Sequence, residues 1–90
     1  MGDEKNKIRF FPKIAIPPGQ TIKENIDFLG MTQGELAQRL DISDKHLSQI
    51  ITGKASITYE TALGLETVIG PSATFWMNLE NNYQLHKARL

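Results

Sequence analysis

A run of hydrogen-bonding side chains between residues 43 and 49 carries the most evident chemistry in this sequence. Its polar members are Ser43, Asp44, Lys45, His46, Ser48 and Gln49. The ammonium of Lys45 can donate to O6 and N7 of guanine, and the amide of Gln49 can bond adenine at two atoms. Each such contact discriminates between bases by about 1 to 3 kcal/mol. The run therefore predicts contacts to base edges, with Lys45 and Gln49 as the main readers.

Two members of this run have competing interpretations. Asp44 is repelled by phosphates, so compensation of a helix dipole is the simpler role for it, although it can also accept a hydrogen bond from cytosine N4. His46 is interpreted either as a neutral polar contact or as an exposed residue without a specific role.

Catalytic and metal-binding chemistry is not indicated. The chain has two histidines and no cysteine, and it lacks an HExxH zinc motif, a phosphate-binding glycine loop and a nucleophile with its base. We interpret its scattered carboxylates as solvated helix faces. We therefore expect no catalytic residues, no metal and no cofactor, and the absence of cysteine fits a reducing bacterial cytoplasm.

Two short helices must position the polar run. Thr32 and Glu35 match a capping box that begins the first helix, Ser43 is an N-cap for the second, and Gly53 ends it. The inward apolar positions are Leu36, Ala37 and Leu40, then Leu47, Ile50 and Ile51. Because so few residues separate the two helices, they must cross sharply. The spacing predicts a helix-turn-helix at about 32–53.

Three further helices complete the predicted fold. One begins at Pro17-Pro18-Gly19, one follows the cap residue Thr58, and the last, capped by Ser72, covers about 72–89. Residues 1–16 are expected to form a flexible or extended segment, and residues 17–90 a single helix-turn-helix domain. The fold class is thus all-α, a five-helix bundle. No segment is apolar for long enough to span a membrane.

The stretch from Thr32 to Lys54 resembles the helix-turn-helix of phage repressors, the Xre family, with Asp41 where that family usually has glycine. The motifs that extend the resemblance to HigA antidotes, over about 17–88, are Pro18-Gly19, Gly53-Lys54, Ile57-Thr58, Glu60-Thr61-Ala62-Leu63, Phe75-Trp76-Met77-Asn78-Leu79 and Tyr83. The resemblance implies a lambda-repressor-like fold and a homodimer that represses its own operon. It also implies a HigB-like partner toxin that cleaves mRNA.

The charge balance constrains how such a protein binds DNA. The formal net charge is zero, so few cations are available to neutralise phosphates, and we expect a shallow salt dependence. The predicted phosphate contacts are Thr32, Gln33, Arg39, Thr52, Lys54 and Ser56. Amides at the start of the helix that follows Thr32 add to them.

The last helix is the predicted dimer element, because its large apolar residues exceed what one small core can bury. The candidates are Trp76, Leu79, Tyr83 and Leu85. For Phe75, Leu79 and Tyr83 a core position is preferred, which leaves Trp76 and Leu85 as the stronger interface predictions. The β-prone segment 8–16 either faces the toxin or packs on the helices.

Two alternatives keep the fold and change the function. In one, the chain binds a toxin but has lost operator recognition, which suits its zero net charge and Asp44. In the other, it is the regulatory front of a longer protein with an ImmA/IrrE-type zinc peptidase domain.

Overall fold

The structure is a computed structural model that describes residues 15–90, and within that part the chain is entirely helical, without strands. The helices are α1 (Gly19–Leu29), α2 (Gln33–Leu40), α3 (Asp44–Thr52), α4 (Tyr59–Ile69) and α5 (Ala73–Arg89). The predicted five-helix, all-α class is confirmed, with three residues between α2 and α3. Of the predicted N-terminal segment 1–16, residues 1–14 lie outside the described part of the chain.

Hydroxyl caps begin four of these helices, each at the residue that the sequence predicts. In each case the hydroxyl oxygen accepts a hydrogen bond from the backbone N–H three residues later, at 3.0 to 3.2 Å. The cap residues are Thr32, Ser43, Thr58 and Ser72. These contacts are local, so the short sequence patterns were sufficient to locate the helix starts.

The core takes one or more side chains from every helix. Its fully covered members of largest volume are Trp76, Ile22, Ile26, Leu36, Leu47, Ile50 and Leu65. Among residues 15–90, no helix is long and apolar enough to cross a membrane.

Phe75 and Trp76, at the start of α5, take each other's predicted places: the tryptophan is in the core and the phenylalanine is at the surface. Trp76 is completely buried and its indole N–H donates to the carbonyl of Pro71 at 3.1 Å, whereas Phe75 is 39% exposed. Their rings meet edge to face with centroids 5.1 Å apart. Trp76 has no surface left for a partner, so its assignment to the dimer interface is wrong. The core position preferred for Phe75 is only partly realised.

Candidate nucleic-acid interface

The helix α3 is supported from behind by α1 and α2. Leu47 and Ile50 are buried on its inner side, and a Cβ at Gly19 would overlap the backbone of Ile51. The start of α1 therefore lies directly against α3, at a distance that only glycine allows. The turn that connects α2 to α3 passes through Asp41, whose backbone is left-handed at φ 58° and ψ 44°. Asp41 thus takes the conformation usually supplied by glycine.

The polar run occupies the free side and the first turn of α3. At 100° per residue, positions 45 and 49 lie opposite the buried Leu47 and Ile50. None of the six predicted base-contacting residues is buried; Gln49 is half-buried and the others are exposed: Ser43, Asp44, Lys45, His46, Ser48 and Gln49. The structure brings them together on one surface that a groove can receive.

The first turn of α3 uses two of these residues for its own stability. The Ser43 hydroxyl oxygen accepts from the His46 amide at 3.0 Å, which leaves the hydroxyl proton available for an outside acceptor. Asp44 lies in the same turn, where its charge opposes the positive end of the helix dipole. This position agrees with the dipole interpretation of Asp44.

The start of α2 forms the predicted capping box. The Thr32 amide donates to a Glu35 carboxylate oxygen at 2.9 Å, and the Glu35 amide donates to the Thr32 hydroxyl at 3.1 Å. The hydrogen bond from the Thr32 backbone, then that from its hydroxyl, then the charge of Arg39 hold the pKa of Glu35 below its ordinary value of 4.5. The amides of Gln33 and Gly34 belong to the first turn of α2. The helix has no earlier carbonyl oxygen to accept hydrogen bonds from their N–H groups.

The predicted phosphate contacts lie at two places, the start of α2 and the end of α3. All are exposed except Gln33, which is half-buried: Thr32, Gln33, Arg39, Thr52, Lys54 and Ser56. Thr52 is less suitable than its residue type suggested. Its hydroxyl donates to the Ser48 carbonyl at 3.0 Å, so its proton is already engaged within the helix.

The loop 53–58 between α3 and α4 is held by two α5 residues that the sequence analysis missed. A Glu80 oxygen (Oε1) accepts from the backbone N–H of Ile57 at 3.0 Å, and the other (Oε2) accepts from Gln84 Nε2 at 2.6 Å. The same Gln84 nitrogen lies 3.3 Å from the Ser56 hydroxyl oxygen. Glu80 is 5% exposed, so its interpretation as part of a solvated face is wrong. Glu80 follows Trp76 by four residues, which places the two side chains on the same face of α5. This spacing was the signal for its burial in the sequence.

The predicted dimer residues do not share one surface. Leu85 is 51% exposed, while Leu79 and Tyr83 are half-buried. Tyr83 faces inward at the end of α3, because a Cβ added to Gly53 would lie 2.6 Å from its hydroxyl oxygen. Lys87 covers the Tyr83 ring from 4.9 Å. Of the predicted interface residues, Leu85 has the most accessible surface.

Residues 15–90 contain no group of three or more metal-ligating side chains placed to hold a metal ion. The arrangement offers donors and acceptors on one exposed helix, flanked by a helix start and a tethered loop. Such a surface can bind a polar ligand of extended shape.

Comparisons with known proteins agree with this geometry. A family model described as helix-turn-helix matches residues 22–76. The HTH-type transcriptional regulator YddM of Escherichia coli is 39% identical over 71 residues, which are 79% of this chain and 76% of the relative. A HigA-family addiction module antidote from Coxiella burnetii superposes with a TM-score of 0.76 at 36% identity, covering 82% of each chain. The Pseudomonas aeruginosa antitoxin HigA, solved with the higBA promoter, gives 0.76 at 29% identity over 83% of each.

Proposed function

Because the chain belongs to the helix-turn-helix family and, within it, to the HigA antidotes, we propose that it is a sequence-specific repressor and the antitoxin of a type II toxin–antitoxin system. In this role it binds operator DNA in the bacterial cytoplasm, represses its own operon and neutralises an mRNA-cleaving toxin. HigA antidotes are not enzymes, and we assign no enzymatic activity to this chain.

One observation carries the DNA-binding part of the proposal. The polar run on α3 is exposed on the side opposite the core, beside the start of α2. In helix-turn-helix proteins the N-terminal part of the second helix enters the major groove. Lys45 and Gln49 then face the base edges, where they suit guanine and adenine.

The backbone contacts flank this reading helix. At one end, Thr32, Gln33 and the first amides of α2 meet a phosphate. At the other, Lys54 and Ser56 meet a second phosphate from the loop 53–58. These contacts fix the orientation of α3 and carry no sequence information themselves.

Electrostatic attraction contributes little to this binding mode. Residues 32–56 carry as many positive as negative side chains. The cations are Arg39, Lys45 and Lys54, and the carboxylates are Glu35, Asp41 and Asp44. Affinity therefore depends on base contacts and on two protomers binding together. Two α3 helices then lie about 34 Å apart, one turn of DNA.

We assign the dimer contact to the exposed side of α5 around Leu85. Leu79 and Tyr83, which are half-buried on another side of the helix, are not part of this surface. Residues 8–16, the segment predicted either to face the toxin or to pack on the helices, lie outside the described part of the chain as far as residue 14. The toxin contact therefore remains a proposal from the sequence.

The test is operator binding by a double variant, Lys45→Ala with Gln49→Ala. Fluorescence anisotropy with a duplex from upstream of the gene should show at least a 100-fold weaker affinity, since two contacts worth about 1 to 3 kcal/mol each are lost per protomer. The matched control, Gln20→Ala with Lys23→Ala, removes the same residue types from exposed positions on α1 and should bind normally.

Sedimentation at micromolar concentration should show a dimer for all three proteins. Undiminished affinity of the Lys45 and Gln49 variant would show that α3 is not the reader. A wild-type protein that does not bind the duplex would favour the toxin-binding module without operator recognition. A slope of log affinity against log salt steeper than about −8 per dimer would contradict the weak electrostatic contribution.

A further inference from the structure

The loop 53–58 has an anchor that its own sequence does not supply. Its Ile57 amide is paired with a carboxylate 23 residues further along the chain, and its Ser56 hydroxyl with an amide 28 residues further along. Both partners are on α5, one turn apart, and they are hydrogen-bonded to each other. The loop is therefore positioned by α5 and not by α3 or α4 alone.

The anchor is a buried carboxylate next to a proposed phosphate contact. A charge with 5% exposure is costly to desolvate, and here each oxygen accepts one hydrogen bond, from Ile57 and from Gln84. Electrostatics alone makes this placement unfavourable for DNA binding, since the carboxylate repels phosphate. A role in DNA binding must therefore come from its hydrogen bonds.

The loop residues that the anchor controls are the ones that face outward. Lys54 and Ser56 are exposed on either side of the half-buried Ala55. The amides of Lys54 and Ala55 both donate to the Gln49 carbonyl, at 2.8 and 3.0 Å, so the loop also continues directly from the reading helix. With Ile57 fixed at the other end, the Lys54 side chain projects from a loop held at both ends.

We propose that Glu80 is a positioning residue for DNA binding: with Gln84 it holds the loop 53–58 so that Lys54 and Ser56 reach a phosphate. The inference rests on the proposed function, and it adds that α5 determines the backbone contact made after α3. Because Gln84 donates to the Ser56 oxygen, the Ser56 hydroxyl keeps its own proton for the phosphate.

The test compares two variants that remove the same charge. Glu80→Met leaves the Ile57 amide buried without an acceptor, while Glu80→Gln keeps an oxygen for it. We expect Glu80→Met to bind operator duplex about tenfold more weakly than wild type, and Glu80→Gln to remain within about threefold of it. Removal of charge alone would instead make both variants bind more tightly.

The salt dependence separates positioning from a general loss of stability. Loss of the Lys54 contact in each protomer should make the slope of log affinity against log salt shallower by about 2 per dimer. A variant that is only less stable keeps the wild-type slope. In a Lys54→Ala background, Glu80→Met should weaken binding less than it does in the wild-type protein, because the Lys54 contact is already absent and only that of Ser56 is left to lose.

A second substitution covers the case in which Glu80→Met does not fold. Gln84→Leu, at a half-buried position, removes the bond to Ser56 without exposing the Ile57 amide to an apolar side chain, and should weaken binding about threefold. Wild-type affinity and slope in Glu80→Met, or in Gln84→Leu, would overturn the inference and leave the proposed function intact. Failure of the wild-type protein to bind operator DNA would overturn both.

Discussion

Two regions of the molecule are built from different contacts. One is the reading surface, formed by the start of α2 and the polar run 43–49. The other is the junction, where Glu80 and Gln84 of α5 hold the loop 53–58. At the reading surface, the caps of Thr32 and Ser43 join residues three apart in the sequence. At the junction, Glu80 and Gln84 join residues 23 and 28 apart. The reading surface is thus specified locally, whereas the junction exists only when the whole domain is folded.

The two regions also differ in burial. The reading side chains are exposed or half-buried, whereas Trp76 and Glu80 on α5 are almost completely covered. Exposed side chains contribute little to folding, and buried ones contribute a great deal. Substitutions on the reading surface should therefore change binding at nearly constant stability, and those at the junction should change both.

The largest expected effect is on stability, at Trp76. Trp76→Ala should lower the free energy of unfolding by about 3 to 5 kcal/mol, because it empties a core position and removes the hydrogen bond to Pro71. Its neighbour Phe75, 39% exposed, is the matched control, and Phe75→Ala should cost about 1 kcal/mol. Urea unfolding followed by circular dichroism measures both. Equal losses would refute the assignment of Trp76 to the core and Phe75 to the surface.

A smaller effect is expected at the two left-handed positions that end α2 and α3. Gly53→Ala should lower the free energy of unfolding by about 2 kcal/mol, because φ is 85° and the new Cβ would meet the Tyr83 hydroxyl. Asp41→Gly should raise it by about 0.5 kcal/mol, since glycine takes φ 58° without strain. Thermal and urea unfolding measure these changes. A Gly53→Ala protein as stable as wild type would mean that the loop does not require this close approach.

The smallest expected effect is the pH dependence of the α2 cap. The folded-state pKa of Glu35 lies below 4.5, so the ionised form contributes stability that is fully present above the unfolded value and is lost as the pH falls through the folded one. Between pH 6 and pH 3, Glu35→Gln should therefore lose less stability than wild type. The cap is exposed, which keeps the difference small.

The matched control for this titration is Glu66→Gln, which removes an exposed carboxylate from the second half of α4. Its free energy of unfolding should follow the wild-type pH dependence more closely than that of Glu35→Gln. If the Glu35→Gln and wild-type curves were parallel over this range, the capping box would not contribute to stability through the carboxylate charge.

Sequence reasoning succeeded where the information lies within one turn of a helix. The Thr32 to Glu35 pattern contains both halves of a reciprocal cap, so its geometry followed directly. Apolar spacing likewise placed Leu47 and Ile50 inward, and this put Lys45 and Gln49 on the other side. The contacts of those side chains with bases remain predictions.

Sequence reasoning failed where neighbouring residues competed for one buried position. Phe75 and Trp76 are both large and apolar, and their directions on α5 differ by 100°. Apolar spacing alone did not decide which of them enters the core. Thr52 shows the same limit for hydrogen bonding, because its hydroxyl can bind the carbonyl one turn back or an outside acceptor. In the structure it donates to Ser48.

The sequence by itself determined the five helices, the hydroxyl caps of four of them, the helix-turn-helix and the outward polar run, because each depends on residues three or four apart. Only the tertiary structure decided that Trp76 is core, that Glu80 is buried and that α5 holds the loop after α3. Those outcomes depend on how α4 and α5 pack against the rest of the domain. A carboxylate becomes a buried anchor only where a distant amide, here that of Ile57, is brought within 3.0 Å.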